Sequence, residues 1–343
     1  MIIPILLFLL GLLCLIKGGD WFVGGAAGIA KRFRLPELLI GATVVSIGTT
    51  LPEVMVSATS AWEGHSGIAY GNAIGSIICN TALIAAIPII AKPGKVNAAT
   101  FRTPVFFFFG AEALYLSISY AVGRFDRAVG VALLLLFVLY MIVTVISMKK
   151  QPDAPAVDLP KEEPEERQAK PRFPAYDAFR ARHMTAFHWA DLVVGAALIA
   201  VGARLLVSNG TKIAEALGVP EAVIALTFVA LGTSLPELVT AITSLVKGHD
   251  SLSLGNVVGA NFFNLVLVSG TAITIRPFAI PADSTLFGVN AALVLDVPMS
   301  LLVMVILTLP ALLRGKLSRW QGVLLLGFYL SYCVLQFVLP ALA

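Results

Sequence analysis

The sequence predicts an all-α membrane protein of ten transmembrane helices, arranged as two inverted repeats of five helices each. Three observations carry that prediction. Of 343 residues, 58% are hydrophobic and only 13% are charged, and the mean hydropathy of +0.90 is far above that of a soluble domain. The apolar runs are continuous, as in 129–148 and 286–309, and lack the ten-residue alternation of a membrane barrel. Finally, residues 36–80 align without a gap on residues 220–264, a displacement of 184, with 18 of 45 pairs identical.

The elements follow in order. The opening run from Ile2 to Ile16 lacks a basic leader and an Ala-x-Ala exit, so it reads as a retained span over 3–30. Spans are expected at 36–62, 67–90, 104–122 and 127–148, completing an N-terminal repeat over 1–148. Residues 149–187 are rich in Pro, Glu, Lys and Arg and poor in aliphatics, which predicts a flexible linker unable to fold alone. Spans at 188–216, 220–246, 252–275, 286–309 and 320–340 then form the C-terminal repeat, 188–343. Five spans per half bring the second copy in from the opposite side, so the repeats are inverted, as in many secondary transporters.

Charge fixes an orientation. With the N-terminus outside, eighteen Lys and Arg fall in cytoplasmic connections and four in the opposite ones. By the positive-inside rule both termini face out and the linker is cytoplasmic, in a cell inner (plasma) membrane. The net charge of +4 is thus a topological signal and implies no nucleic-acid partner. Cys14, Cys79 and Cys333 stand at unrelated spacings in apolar stretches, so neither a disulfide framework nor a zinc site follows. No nucleophile elbow or nucleotide loop appears, which speaks against an enzyme and against a resident cofactor.

The chemistry concentrates in one repeated segment. Gly48-Thr49-Thr50-Leu51-Pro52-Glu53 returns as Gly232-Thr233-Ser234-Leu235-Pro236-Glu237. A charged carboxylate at the centre of a membrane helix costs roughly 2.5 to 3.5 kcal/mol or more, so two of them imply a function. Each proline removes a backbone donor, so the helices should open near Gly48-Thr49 and Gly232-Thr233 and expose carbonyl oxygens. At helical spacing Thr49, Thr50 and Glu53 converge on one face, as do Thr233, Ser234 and Glu237. The following span of each half carries Gly71-Asn72-x-x-Gly75-Ser76-x-x-x-Asn80 and Gly255-Asn256-x-x-Gly259-Ala260-x-x-x-Asn264. Its glycines permit close helix approach, and Ser76 and Asn80 share a face that can add oxygens. An all-oxygen, carboxylate-bearing pocket suits calcium and sodium and argues against copper or zinc. Lys17 and Asp20 read as a local ion pair; Glu112 and Asp296 lack surrounding motifs; His65 and His249 read as turn residues.

On these motifs the chain resembles the sodium/calcium exchanger family, of the cation/calcium antiporter superfamily, in its compact prokaryotic form. The resemblance covers nearly the whole chain and rests on the doubled GT(S/T)LPE motif and the helix after each copy. It implies ten helices, the second, third, seventh and eighth forming an ion core, with the long first and sixth sliding against it. It further implies that Glu53 and Glu237 bind both ions. Thr49, Thr50, Ser76, Thr233, Ser234 and the carbonyls of Ser46 and Ala230 would complete the sites, and Asn80 would line them. Many family members carry an acid where this chain has Asn264 and a serine where it has Ala260. The site thereby loses a charge and a hydroxyl, which leaves the counter-ion open between sodium and protons.

The function expected is calcium exchange for sodium by alternating access within the lipid bilayer, with no protein partner required. A proton/calcium antiporter of the same fold is the alternative. A passive cation channel ranks below both, because the inverted halves weigh against it.

Overall fold

The computed structural model describes residues 2–32, 46–94, 98–150, 184–235, 237–238, 241, 253–286 and 288–342. Among these, eight helices are long and apolar enough to cross a membrane. They match eight of the ten expected spans. The other two, 36–62 and 220–246, fall partly outside the described residues. The linker's residues 151–183 also fall outside, as does His249.

In the first half, α1 is Ile2–Arg32, and the second span is divided into α2 (Ser46–Thr49) and α3 (Leu51–Glu63). The third combines α4 (Ser66–Cys79), a π-helical turn at Asn80–Ile84 and α5 (Ala86–Ala91). It is followed by α6 (Ala98–Ala121) and α7 (Arg127–Lys150). The second half opens with α8 (Met184–Leu217), then α9 (Glu221–Ile224), a π-turn at Ala225–Val229 and α10 (Ala230–Thr233). Next come α11 (Ser253–Phe263), a π-turn at Asn264–Val268 and α12 (Ser269–Ile275). A fourth π-turn at Ala292–Asp296 leads into α13 (Val297–Arg314), and α14 is Arg319–Leu342. Helix α8 starts four residues before the span expected from 188, because Met184 to Phe187 continue its largely apolar sequence.

Both interrupted spans break at equivalent places. Thr50 (φ −85°, ψ −4°) and Ser234 (φ −88°, ψ 9°) each hold the bridge conformation between two helical pieces. The break falls one or two residues later than expected. Pro52 is tolerated in the first turn of α3, where its missing N–H would have no intrahelical partner, so the new helix starts just ahead of it.

The two longest helices, α1 and α8, run against each other over a ladder of small residues. A Cβ on Gly11 would stand 2.9 Å from the Gly202 carbonyl oxygen, and one on Gly18 2.9 Å from that of Gly195. One on Gly25 would meet the His188 backbone. The seven-residue spacing keeps these contacts on one seam of an antiparallel pair. Helix α1 also reaches both helix breaks: Leu12 fills the space beside Gly232, and Val23 the space beside Gly48.

Short strands at one end of the bundle were not expected. β1 (Arg124–Phe125) pairs antiparallel with β2 (Phe278–Ala279), joining the fourth-to-fifth connection to the eighth-to-ninth. β3 (Thr285–Leu286) and β4 (Val289–Asn290) form a small hairpin. Near this end the His65 Nδ1 atom lies 3.0 Å from both oxygens of Glu221, tying the α3–α4 turn to the start of α9. Lys17 and Asp20 form the expected local pair at 3.5 Å, exposed.

Candidate ion site

The site is built where α3, α4 and α10 meet. Glu53 is 1% exposed, held one turn into α3 by the restart at Thr50. Its Oε1 accepts a hydrogen bond from the Ser234 hydroxyl at 3.4 Å, across the boundary between the two halves. Ser234 stands three residues before Glu237, so the same contact brings the second glutamate toward the first. Glu237 is half-buried, with its Oε2 fully enclosed.

Asn72 ties this arrangement together, a role its motif did not reveal. Its Nδ2 donates to the Glu53 carbonyl at 3.0 Å and to the Ser57 hydroxyl oxygen at 2.9 Å. Its Oδ1 accepts from the Thr233 hydroxyl at 3.2 Å. One side chain therefore fixes α3, α4 and α10 together. The side chain is wholly buried, because Gly71 and Gly75 on the same helix bring its backbone against the seventh span. A Cβ on Gly71 would be 2.9 Å from the Ala222 carbonyl, and one on Gly75 2.6 Å from that of Leu226. The glycines at four-residue spacing thus serve close approach, as the sequence implied.

Thr233 has one proton and several acceptors in reach, among them Asn72 Oδ1, the Val229 carbonyl at 3.2 Å, the Ala230 carbonyl at 3.3 Å and the Glu53 carboxylate. The Ala230 carbonyl already accepts the Ser234 N–H at 3.1 Å. Its second lone pair is open to an ion only when the Thr233 proton points away from it, as it does when Asn72 accepts.

Among the described residues, nine buried side-chain oxygens have no hydrogen-bond partner. Five belong to the site residues expected from sequence: Glu53 Oε2, Glu237 Oε2, Ser76 Oγ, Asn80 Oδ1 and Asn264 Oδ1. A buried polar atom left unpaired costs roughly 1 to 3 kcal/mol, so such a concentration calls for a ligand that supplies positive charge. Asn72, Ser76 and Asn80 stand at successive turns of one face of the third span. Asn80 and Asn264 each begin a π-turn, a distortion common at functional sites.

Not every expected group is resolved into this arrangement. Thr50 is buried and Thr49 half-buried, each with interactions of its own. Ser46 begins α2, and its side chain lies outside the description, as does that of Asn256. Asn261 is a second residue that sequence reasoning missed. Its Nδ2 donates to Thr81 Oγ1 at 2.6 Å while its Oδ1 is unpartnered. Its repeat counterpart is Ile77, so the symmetry that exposed the other polar positions hid this one. Among the described residues no cluster of three His, Cys, Asp or Glu is present. The oxygens near the two glutamates are hydroxyl, amide and carbonyl oxygens, a donor set that suits calcium and sodium.

Known proteins resemble this chain over nearly its whole length. The family model described as sodium/calcium exchanger protein matches residues 3–146 and 187–338. The chain is 32% identical to inner membrane protein YrbG of Escherichia coli, over 98% of each chain. It is 29% identical to sodium/calcium exchanger MaX1 of Methanosarcina acetivorans, over 97% of this chain and 98% of that one. Among solved structures it resembles the sodium-calcium exchanger NCX_Mj soaked with sodium and strontium, with a TM-score of 0.59 and 31% identity over 97% of this chain and 98% of that one. By the family match over nearly its whole length, the chain belongs to the sodium/calcium exchanger family.

Proposed function

We propose that this chain is a secondary antiporter that exchanges calcium for sodium, with both ions bound in turn between Glu53 and Glu237. The observation that carries the reading is the set of five unpartnered buried oxygens on Glu53, Glu237, Ser76, Asn80 and Asn264. Two carboxylates that repel each other in a low-dielectric interior need compensation. One divalent ion or several monovalent ions supply it, and occupancy by one class excludes the other. If the core and the α1–α8 pair move past each other only when the charge is compensated, exchange is obligatory. Thr49, Thr50, Thr233, Ser234 and the Ser46 and Ala230 carbonyls would complete the coordination.

The same reading divides the chain into repeats at 1–148 and 188–343 around a cytoplasmic linker, with both termini outside a plasma membrane. Proton/calcium antiport is the second reading, supported by Asn264: its Oδ1 is buried and unpartnered, an oxygen without the charge that an additional monovalent ion would need.

Uptake of radiolabelled calcium into proteoliposomes under separately imposed sodium, potassium and proton gradients distinguishes the two. Sodium-driven uptake at fixed pH is expected, and it should vanish in Glu53→Gln and in Glu237→Gln. Near-normal uptake in both variants would remove the glutamates from the mechanism, and uptake that follows only a pH gradient would select the second reading.

A further inference from the structure

A second acid pair lies outside the candidate site. Asp296 follows Glu112 by 184 residues, the same displacement that relates Glu237 to Glu53. The two are therefore equivalent positions of the repeat, Glu112 on α6 and Asp296 at the foot of α13. Glu112 is 1% exposed and Asp296 4%, and no Lys, Arg or His among the described residues pairs with either. Ser300, one turn after Asp296, lies 2.8 Å from Glu112 Oε1, so the helices cross at this pair. Asp296 terminates the fourth π-turn. Of the other three, two begin at Asn80 and Asn264 and one runs into Ala230, all residues of the candidate ion site.

The hydrogen bonds distinguish the two acids. Asp296 Oδ1 accepts from the Tyr332 hydroxyl at 3.0 Å and from Gln336 Nε2, and Oδ2 from the Tyr70 hydroxyl at 3.5 Å. Three neutral donors suit an ionised carboxylate. Glu112 has one such neighbour, the Ser300 hydroxyl, whose proton has a competing acceptor. The Ser300 hydroxyl is 2.8 Å from both Glu112 Oε1 and the Val297 carbonyl, and it owns a single proton. The carbonyl can only accept, so when Ser300 donates to it, the proton between Glu112 and Ser300 comes from the acid. Glu112 Oε2 is buried and unpartnered, which a carbonyl oxygen tolerates better than half of a charged carboxylate. The other titratable groups facing the pair are Tyr70, Tyr115 and Tyr332.

We propose that Glu112, where its helix crosses the one that carries Asp296 and Ser300, is a second cation-binding group, separate from the Glu53–Glu237 site, and that its ligand is a proton. It does not depend on the exchange reading and is tested without transport. Infrared spectra of the full chain in lipid at neutral pH report the carbonyl stretch of a neutral carboxylic acid directly. A component of the stretch is expected in the unaltered protein that is lost in Glu112→Gln and retained in Glu53→Gln, where the exchange site alone is impaired. In Ser300→Ala it should move to higher frequency, because the acid loses its acceptor; this variant also serves if Glu112→Gln fails to fold. A spectrum unchanged by Glu112→Gln, or unshifted by Ser300→Ala, overturns the proposal. Loss of the band on raising sodium at constant pH also overturns it, by making sodium the ligand.

Discussion

Replacing Asn72 with Ala separates the geometry of the site from its charge. The substitution removes two donated hydrogen bonds and one accepted bond without touching a carboxylate. A neutral buried hydrogen bond contributes about 0.5 to 1.5 kcal/mol net, but two of the three partners have alternatives. Ser57 keeps the Ala69 carbonyl at 3.3 Å, and Thr233 keeps its own helix carbonyls. The Glu53 carbonyl is left without its Asn72 donor, so the expected loss of stability is about 2 kcal/mol. The second effect is on ions. With Asn72 gone, the Thr233 proton is shared among its remaining acceptors and spends more of its time on the Ala230 carbonyl, an oxygen that an ion would use. Calcium affinity should fall about tenfold, or about 1.4 kcal/mol. Titration calorimetry on the purified protein measures that loss. A double-mutant cycle with Thr233→Val should return a coupling of about 1 kcal/mol. If calcium binds the Asn72→Ala variant as tightly as the parent and the two substitutions are additive, the reasoning about Thr233 is wrong.

Other expectations follow from the same structure. Saturating calcium, at about a hundred times its dissociation constant, should stabilise the protein against thermal unfolding by about 2.7 kcal/mol; the Glu53→Gln/Glu237→Gln double variant should show no such shift in a melting assay. Gly18→Leu places a side chain where a Cβ already stands 2.9 Å from the Gly195 carbonyl. Overpacking of about 1 to 3 kcal/mol should slow calcium flux in proteoliposomes severalfold while equilibrium calcium binding, measured by calorimetry, stays close to that of the parent. Asn264→Asp adds a third carboxylate at a buried position whose oxygen is unpartnered. The sodium dependence of calcium release should become steeper, and an unchanged Hill slope would detach Asn264 from the monovalent ions.

Much of this architecture is legible in the sequence because a membrane simplifies the code: apolar length marks spans, and the 184-residue displacement marks symmetry. The glutamates and their flanking hydroxyls stand out because a charge in hydrocarbon demands a reason. The break positions are misjudged by one or two residues because proline's steric effect acts backwards along the chain, while at the first break the following helix restarts just ahead of Pro52. Asn72 sits in a visible repeat, yet its partners on α3 and α10 are far from it in sequence, and only packing assigns them. Asn261 departs from the repeat and had no signal. Glu112 and Asp296 did have one, the repeat displacement itself, which motif-based reading passes over because their flanking residues diverge. The π-turns leave no mark in composition, since each needs only one residue more than its helix would hold.

The placement of α1 has a mechanical consequence. Leu12 and Val23, which occupy the spaces beside the two helix breaks, are eleven residues apart on one rod, about 16 Å along its axis. The seam behind them, against α8, is backbone on backbone, with few rotamers to rearrange. A lengthwise glide of that rod would withdraw both plugs in the same stroke, so its two ends act as one shutter. Access to the glutamates from either side of the membrane would then be set by a single coordinate.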